Sequence, residues 1–199
     1  MTMERNNLYP IFLKCSQLEI LLIGGGFVAE EKLHFLTKSS PDARVTLVAP
    51  QLREGTEALA RTFGANLIRA RYHAGYLQDK HLVIAATDDP VVNETIYRDC
   101  RQRHILVNVA DNPPLCDFYM GGIVTKGHVK VAISTNGQSP TTARRLREFF
   151  EAVLPEDISR LVENLNAYRR TLSGDFEYKV REMNRVTHAL VAPKSKKES

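Results

Sequence analysis

The chain has 199 residues, 43% apolar and 25% charged, enough for one ordinary domain with a real core or one domain plus a smaller appendage. No long uncharged apolar run occurs, and Met1–Pro10 carries Glu4 and Arg5 without an apolar stretch, so neither a transmembrane helix nor a secretory signal is expected, nor a membrane partner. Cys15, Cys100 and Cys116 are far apart, without C-x-x-C or H-x-x-x-H spacing, which points to a reduced cytoplasmic setting without a structural zinc site; the net charge of +4 comes with no nucleic-acid recognition motif and suits a small polyanionic ligand instead.

In chain order, Leu18–Ile23 is a nearly continuous apolar run ending in three glycines and reads as a buried strand. Ala29, Leu33 and Leu36 then fall on one helix face. Arg44–Val48 is a second strand, Leu52–Phe63 a helix stopped by Gly64, and Leu67–Ala70 a short third strand. Leu82–Ala86, fully apolar, reads as a central fourth strand. Pro90 opens a helix with Val92, Ile96 and Cys100 on its apolar face, and Ile105–Ala110 is a fifth strand. Strand and helix alternating with short links predicts an α/β fold, a doubly wound parallel sheet of Rossmann type with ligands at the carboxyl ends of its strands.

After Asp111 the pattern changes. Phe118–Val124 and His128–Ser134 read as two strands linked at Lys126-Gly127. Ser139-Pro140 supplies an N-cap and a first-turn proline for a helix with Ala143, Leu146, Phe150 and Val153 on its apolar face. Pro155 ends it. Ile158, Leu161, Leu165, Tyr168 and Leu172 form a stripe that needs a partner, and a last helix runs near Phe176–Leu190. The expected parts are a nucleotide-binding domain over 1–112, a small α+β dimerisation segment over 113–154, C-terminal helices over 155–192 and a disordered tail over 193–199.

The chemistry lies first in Gly24-Gly25-Gly26-Phe27-Val28-Ala29, a G-x-G-x-x-A between the first strand and the first helix. Gly24 allows the tight turn, Gly26 lets backbone approach a pyrophosphate, Ala29 permits close helix–strand packing, and the helix N-terminus offers N–H groups to phosphates. The acid that usually holds the ribose after the second strand is missing: Ala49-Pro50-Gln51 stands there. Gln51 can still bond the ribose, and Arg53 can touch a 2′-phosphate, so NAD and NADP both remain open. Thr87 and Asp88 follow the fourth strand at the cofactor edge, with Asp89 an N-cap for the next helix. Asp111 follows the fifth strand, where it is either a general base beside the nicotinamide or a loop-starting aspartate. The loop Ser134–Pro140, with Thr135 and Asn136, feeds a helix bearing Arg144, Arg145 and Arg147; it suits a carboxylate ligand or is a solvated helix start. Tyr76 and Lys80 match Y-x-x-x-K, but in the connection before the fourth strand, a chance match. None of the six histidines has ligand spacing.

Together, Leu8–Leu13, Gly24–Lys32, Ala85–Asp89, Asn108–Asp111 and Ser139–Arg147 resemble, in order and spacing, the precorrin-2 dehydrogenase family, the NAD-binding part of sirohaem synthases. The resemblance covers about residues 8–154. It implies NAD-dependent dehydrogenation of precorrin-2 to sirohydrochlorin by a homodimer, with Asp111 as the essential aspartate. It further implies cofactor contacts at Gly24, Gly25, Gly26, Phe27 and Val28 and near Pro50 and Gln51; by their positions Thr87 is a further expected cofactor contact, and Thr135, Asn136 and Arg144 are expected substrate contacts. No metal ligand is implied. The family often has arginine where Glu31 stands. Some relatives also insert ferrous iron into sirohydrochlorin, which leaves chelation open. A non-catalytic NAD-binding regulatory module is the alternative; it has no use for Asp111 or the arginine-bearing helix.

Overall fold

The computed structural model describes residues 5–188. The expected tail over 193–199 and the end of the last helix at Leu190 lie outside the described residues. The first half of the chain alternates β1 (Glu19–Ile23), α1 (Phe27–Ser39), β2 (Arg44–Val48), α2 (Glu54–Phe63), β3 (Asn66–Ile68), β4 (Leu82–Ala85), α3 (Pro90–Gln102) and β5 (Leu106–Val109). The five strands make one sheet in the order β3-β2-β1-β4-β5, every pairing parallel. This is the doubly wound α/β arrangement expected of the sequence. Ile23 lies opposite both Val48 and Ala85, so β1, β2 and β4 end level, where the chain turns from one side of β1 to the other.

Both faces of the sheet are apolar because β1 is apolar at successive positions. Ile20 and Leu22 point into one layer with Leu47, Ile84, Ala29, Leu33 and Ala60 of the two covering helices. Leu21 and Ile23 point into the other with Val48, Val83 and the α3 residues Ile96 and Cys100. A strand covered on both sides shows no polar alternation. Gly64, at φ 77°, closes α2 in the left-handed conformation. The Asp89 carboxylate accepts from the amides of Val91 and Val92 to start α3.

The strands are shorter than the apolar runs. β3 spans Asn66–Ile68 rather than Leu67–Ala70, since the Ala70 amide turns back to the Ile68 carbonyl. β4 and β5 likewise stop short of Ala86 and Ala110, although both amides still donate to the neighbouring strand. The run from Phe118 is not a strand until β6 (Gly122–Lys126), which forms a hairpin with β7 (Val129–Ile133) around Gly127-His128. Phe118 and Met120 are apolar because they pack on the sheet's core layer. The carbonyl of Phe118 accepts from the buried Asn108 amide at 2.8 Å.

The segment after β5 closes that strand's free edge. The Asp117 amide donates to the Val107 carbonyl at 2.8 Å, and its carboxylate accepts from the Val107 amide at 3.1 Å. Arg101 holds the same carboxylate at 2.8 Å. The chain then continues through α4 (Pro140–Val153), α5 (Ile158–Thr171) and α6 (Phe176–Thr187). One compact unit takes the chain to Gly122 and Ile133–Arg144; the other takes Ile123–Ala132 and the chain from Arg145 onward. Among the described residues no helix is long and apolar enough to cross a membrane.

Asp117→Ala leaves the Val107 amide without its partner and lowers unfolding free energy in urea by about 1–3 kcal/mol. Arg101→Ala, which removes only an exposed cation, costs under about 1 kcal/mol. Burial, with Asp99 and Asp117 nearby, pushes the Cys100 thiol up to about 12. Between neutral pH and pH 9 it stays protonated in the native state, so its alkylation by iodoacetamide tracks unfolding; rapid labelling of native Cys100 would contradict the fold.

Candidate dinucleotide site

The turn after β1 is built from backbone-on-backbone contacts. Gly24 takes φ 129°, and a Cβ there would stand 2.2 Å from the Ala86 carbonyl oxygen. A Cβ on Gly25 would stand 2.0 Å from the Gln51 carbonyl oxygen. The Gly25 carbonyl in turn accepts from the Arg53 amide at 2.9 Å and the Thr56 hydroxyl at 3.1 Å. The first two glycines are therefore wedged between the β4–α3 and β2–α2 connections. Gly26 differs: it is the N-cap of α1, and nothing lies within 4 Å of where its Cβ would be. The first amides of α1 have no partner inside the helix and carry its positive dipole end. An uncluttered glycine in front of a 13-residue helix is a cradle a pyrophosphate fits.

A polar layer supports the turn. Thr56 is fully buried, and its hydroxyl lies within 3.4 Å of the Gly26 carbonyl and of Glu30 Oε2 as well as Gly25. One hydroxyl proton serves one acceptor at a time; the shortest contact, to Gly25, takes it. The Glu30 carboxylate occupies the space a Cβ on Gly55 would need, 2.6 Å from it. Sequence reasoning passed over Thr56 and Gly55. Their signal was small residues in the first turn of α2, where a glycine is costly unless something packs against it.

Pro50 and Gln51 are exposed just beyond β2, and no acidic side chain stands before Glu54 in the first turn of α2. Val28 is half-buried against the core layer, and Ala29 is fully buried. Phe27 is 65% exposed, with the Arg53 guanidinium 5.4 Å from its ring centroid. This pair flanks the glycine turn on the β2 side. On the β4 side, the Thr87 hydroxyl donates to Asn93 Oδ1 at 2.7 Å, and the Asn93 amide returns to the Thr87 carbonyl at 3.0 Å. Thr87 therefore fixes the β4–α3 turn with its hydroxyl, and Asp88 next to it is exposed.

Asp111 stands two residues beyond β5, exposed, at φ 57°. A left-handed non-glycine residue is uncommon and aspartate is among those that tolerate it. β5 lies one strand beyond β4 from β1, so sheet spacing puts its carboxyl end about 10 Å from that of β1. The turn around Asp111 is pinned from below: the Cys116 thiol lies 3.2 Å from the Val109 carbonyl and 3.3 Å from that of Asn112. Burial raises the pKa of this thiol, keeping it a donor.

Thr135 and Asn136 belong to a tight turn in the same compact unit as the glycine turn. Asn136 and Gly137 take φ 53° and 75°, and the Gln138 amide closes on the Thr135 carbonyl at 3.0 Å. The Thr135 hydroxyl is used within the loop, by the amide and carbonyl of Ser139. Ser139 caps α4 through the Thr142 amide, as expected. Arg144 is exposed. Arg145 and Arg147 pair with Glu148 and Glu151 along their own helix, each at 2.7 Å, so two of the three clustered arginines are neutralised there. Tyr76 stacks on His73 while Lys80 reaches Thr46 and Glu19, so the Y-x-x-x-K residues serve different neighbours. Among the described residues no group of three metal-ligating side chains occurs.

Because Gly25 is wedged and Gly26 is open, their alanine variants separate folding from binding. Gly26→Ala keeps the melting temperature of the native protein and loses dinucleotide affinity by at least about tenfold, or about 1.4 kcal/mol, in calorimetry. Gly25→Ala fails to reach the native melting transition. Equal affinity in Gly26→Ala would remove the pyrophosphate from this turn.

An NAD(P)-binding family model matches residues 11–122, and a second model, described as sirohaem biosynthesis protein central, matches residues 126–152. Siroheme synthase of Psychrobacter sp. is 35% identical over 88% of this chain and 34% of its own length. Siroheme synthase 1 of Klebsiella pneumoniae is 37% identical over 82% of this chain and 34% of its own length. The chain thus spans about a third of the curated relatives it matches. The solved structure titled SirC, precorrin-2 dehydrogenase, superposes with a TM-score of 0.69 at 21% identity, covering 90% of this chain and 89% of that one, and shares the fold. With the glycine turn, the open cradle at α1 and a family model over more than half its residues, the chain belongs to the NAD(P)-binding family.

Proposed function

We propose that the chain dehydrogenates precorrin-2 to sirohydrochlorin with NAD as hydride acceptor. The observation that carries this reading is Asp111, held in a left-handed turn at the same sheet edge as the glycine cradle. Gly24, Gly25 and Gly26 with the α1 amides at Phe27 and Val28 hold the pyrophosphate; Pro50 and Gln51 flank the adenosine ribose; Thr87 shapes the wall behind the turn. Bound NAD accepts the hydride. The Asp111 carboxylate takes the proton that leaves the substrate with it and, being exposed, passes it to water. The balance is one hydride to NAD and one proton to solvent for each new double bond. The likeness to siroheme synthases and to the SirC fold supports this substrate class.

NAD is preferred to NADP on this reading because Arg53 is engaged over Phe27. Thr135, Asn136 and Arg144 contact the substrate's carboxylates. The working form is a cytoplasmic homodimer formed through residues 113–154, and exposed Tyr9, Ile11 and Phe12 are apolar surface that such an assembly would cover. The same Asp111 is the group able to take pyrrole protons if the chain also inserts iron into sirohydrochlorin.

The test is anaerobic turnover of precorrin-2 with NAD, followed by the sirohydrochlorin spectrum and by NADH. Asp111→Asn, which tolerates the left-handed turn, is expected to lower kcat by about 10²–10⁴ with unchanged NAD affinity and melting temperature. Full turnover in the variant removes the assignment of Asp111. No turnover by folded, NAD-binding native protein favours the regulatory module.

A further inference from the structure

The second compact unit holds a cleft of about 540 Å³ where the end of α5 meets the start of α6, lined by Asn166, Arg169, Arg170, Gly174, Phe176 and Lys179. Asn166, Arg169 and Arg170 are spaced i, i+3, i+4 and so share one face of α5; Phe176 and Lys179 share one face of α6. Elsewhere on these helices cations are matched: Arg160 with Asp157, Arg181 with Glu177, Arg185 with Glu182. In the cleft none of the three cations has a carboxylate partner among the described residues, although Lys179 is half-buried. The carboxylate of Asp175, just before Phe176 in the chain, accepts from the Tyr178 amide as the cap of α6. Phe176 presents an aromatic ring at 73% exposure.

A favourable helix dipole accounts for arginines in the last turn of α5. It does not account for an unmatched lysine with a half-buried side chain on the first turn of the next helix, or for an exposed ring beside it. Cations in a concave wall next to an apolar face select an anion that also has a flat unsaturated body. We propose that this cleft binds a polycarboxylated conjugated ring by its carboxylate edge, with Arg169, Arg170 and Lys179 on the carboxylates and Phe176 against the ring. The inference rests on the reading above for the natural source of such a ligand, a tetrapyrrole, and assigns it a contact in the second compact unit.

The probe is uroporphyrin, whose fluorescence reports binding, titrated into the full-length native protein and into Arg169→Ala/Arg170→Ala/Lys179→Ala. The expected result is at least about tenfold weaker binding by the triple variant. Weakening with salt is expected in the native protein and less in the variant. Coproporphyrin, with half the carboxylates, binds the native protein more weakly. Melting temperature and NAD affinity stay unchanged, and Lys179→Met, which keeps the stem, shows part of the loss. Equal uroporphyrin binding by native protein and triple variant overturns the proposal. So does tighter binding of pyrophosphate or of a short single-stranded oligonucleotide, lost in the same variant, which would make the site one for phosphate polyanions. Precorrin-2 turnover is measured beside it: turnover without cleft-dependent porphyrin binding sinks this inference alone, and cleft-dependent binding without turnover sinks the dehydrogenase reading alone.

Discussion

Two carbonyl oxygens set the terms for the nucleotide end of the molecule. Those of Ala86 and Gln51 press so closely on Gly24 and Gly25 that no side chain fits at either position. The connections leaving β2 and β4 thereby pack backbone to backbone on the turn leaving β1, joined there by the Arg53 amide's bond to the Gly25 carbonyl. Only then can Gly26 stand clear in front of α1. The open cradle is a by-product of crowding at its two neighbours, and the three glycines have unequal duties.

The clamp has a polar underside. Thr56 and Glu30 lie between α1 and α2, and the Thr56 hydroxyl holds the Gly25 carbonyl. On the opposite side Thr87, Asp89 and Asn93 hold the β4–α3 turn by reciprocal bonds. A phosphate site made of peptide groups needs its peptides immobile before the ligand arrives, since any ordering left undone is charged against affinity. Buried hydroxyls and amides perform that ordering here, with both partners satisfied.

The sheet was legible because its signals are local: two-faced apolar strands, a glycine stop at Gly64, a carboxylate cap at Asp89. Gly24 and Gly26 could be given different tasks from the motif, since turn conformation and ligand approach are generic requirements. Other features depend on contacts between distant positions. Nothing around Gly55 announces that Glu30, a helix away, fills its missing side chain. The apolar run from Phe118 suggested a strand because burial and strand formation leave the same mark on a short sequence, and only the Asn108–Phe118 bond tells them apart. The arginines after Pro140 left a ligand cluster and a solvated helix start both open in the sequence, and the pairing of Arg145 and Arg147 with glutamates one turn away depends on side-chain geometry. The unmatched cations of α5 and α6 drew no attention, because their lack of partners is a property of space.

The segment that returns along β5 has a bearing on assembly. Val107 offers both its backbone groups to Asp117, the Val109 carbonyl takes the Asn112 amide, and the Ile105 amide is held by the Cys100 carbonyl. These four backbone groups, which an outermost strand would display to a newcomer, are already bonded within the chain. A strand from a second copy, or from a partially unfolded one, would have to displace these bonds to pair here. Growth into a continuous intermolecular sheet is opposed on that side, which favours association through side-chain surfaces, where shape and charge can discriminate between partners in a way that a bare strand edge does not.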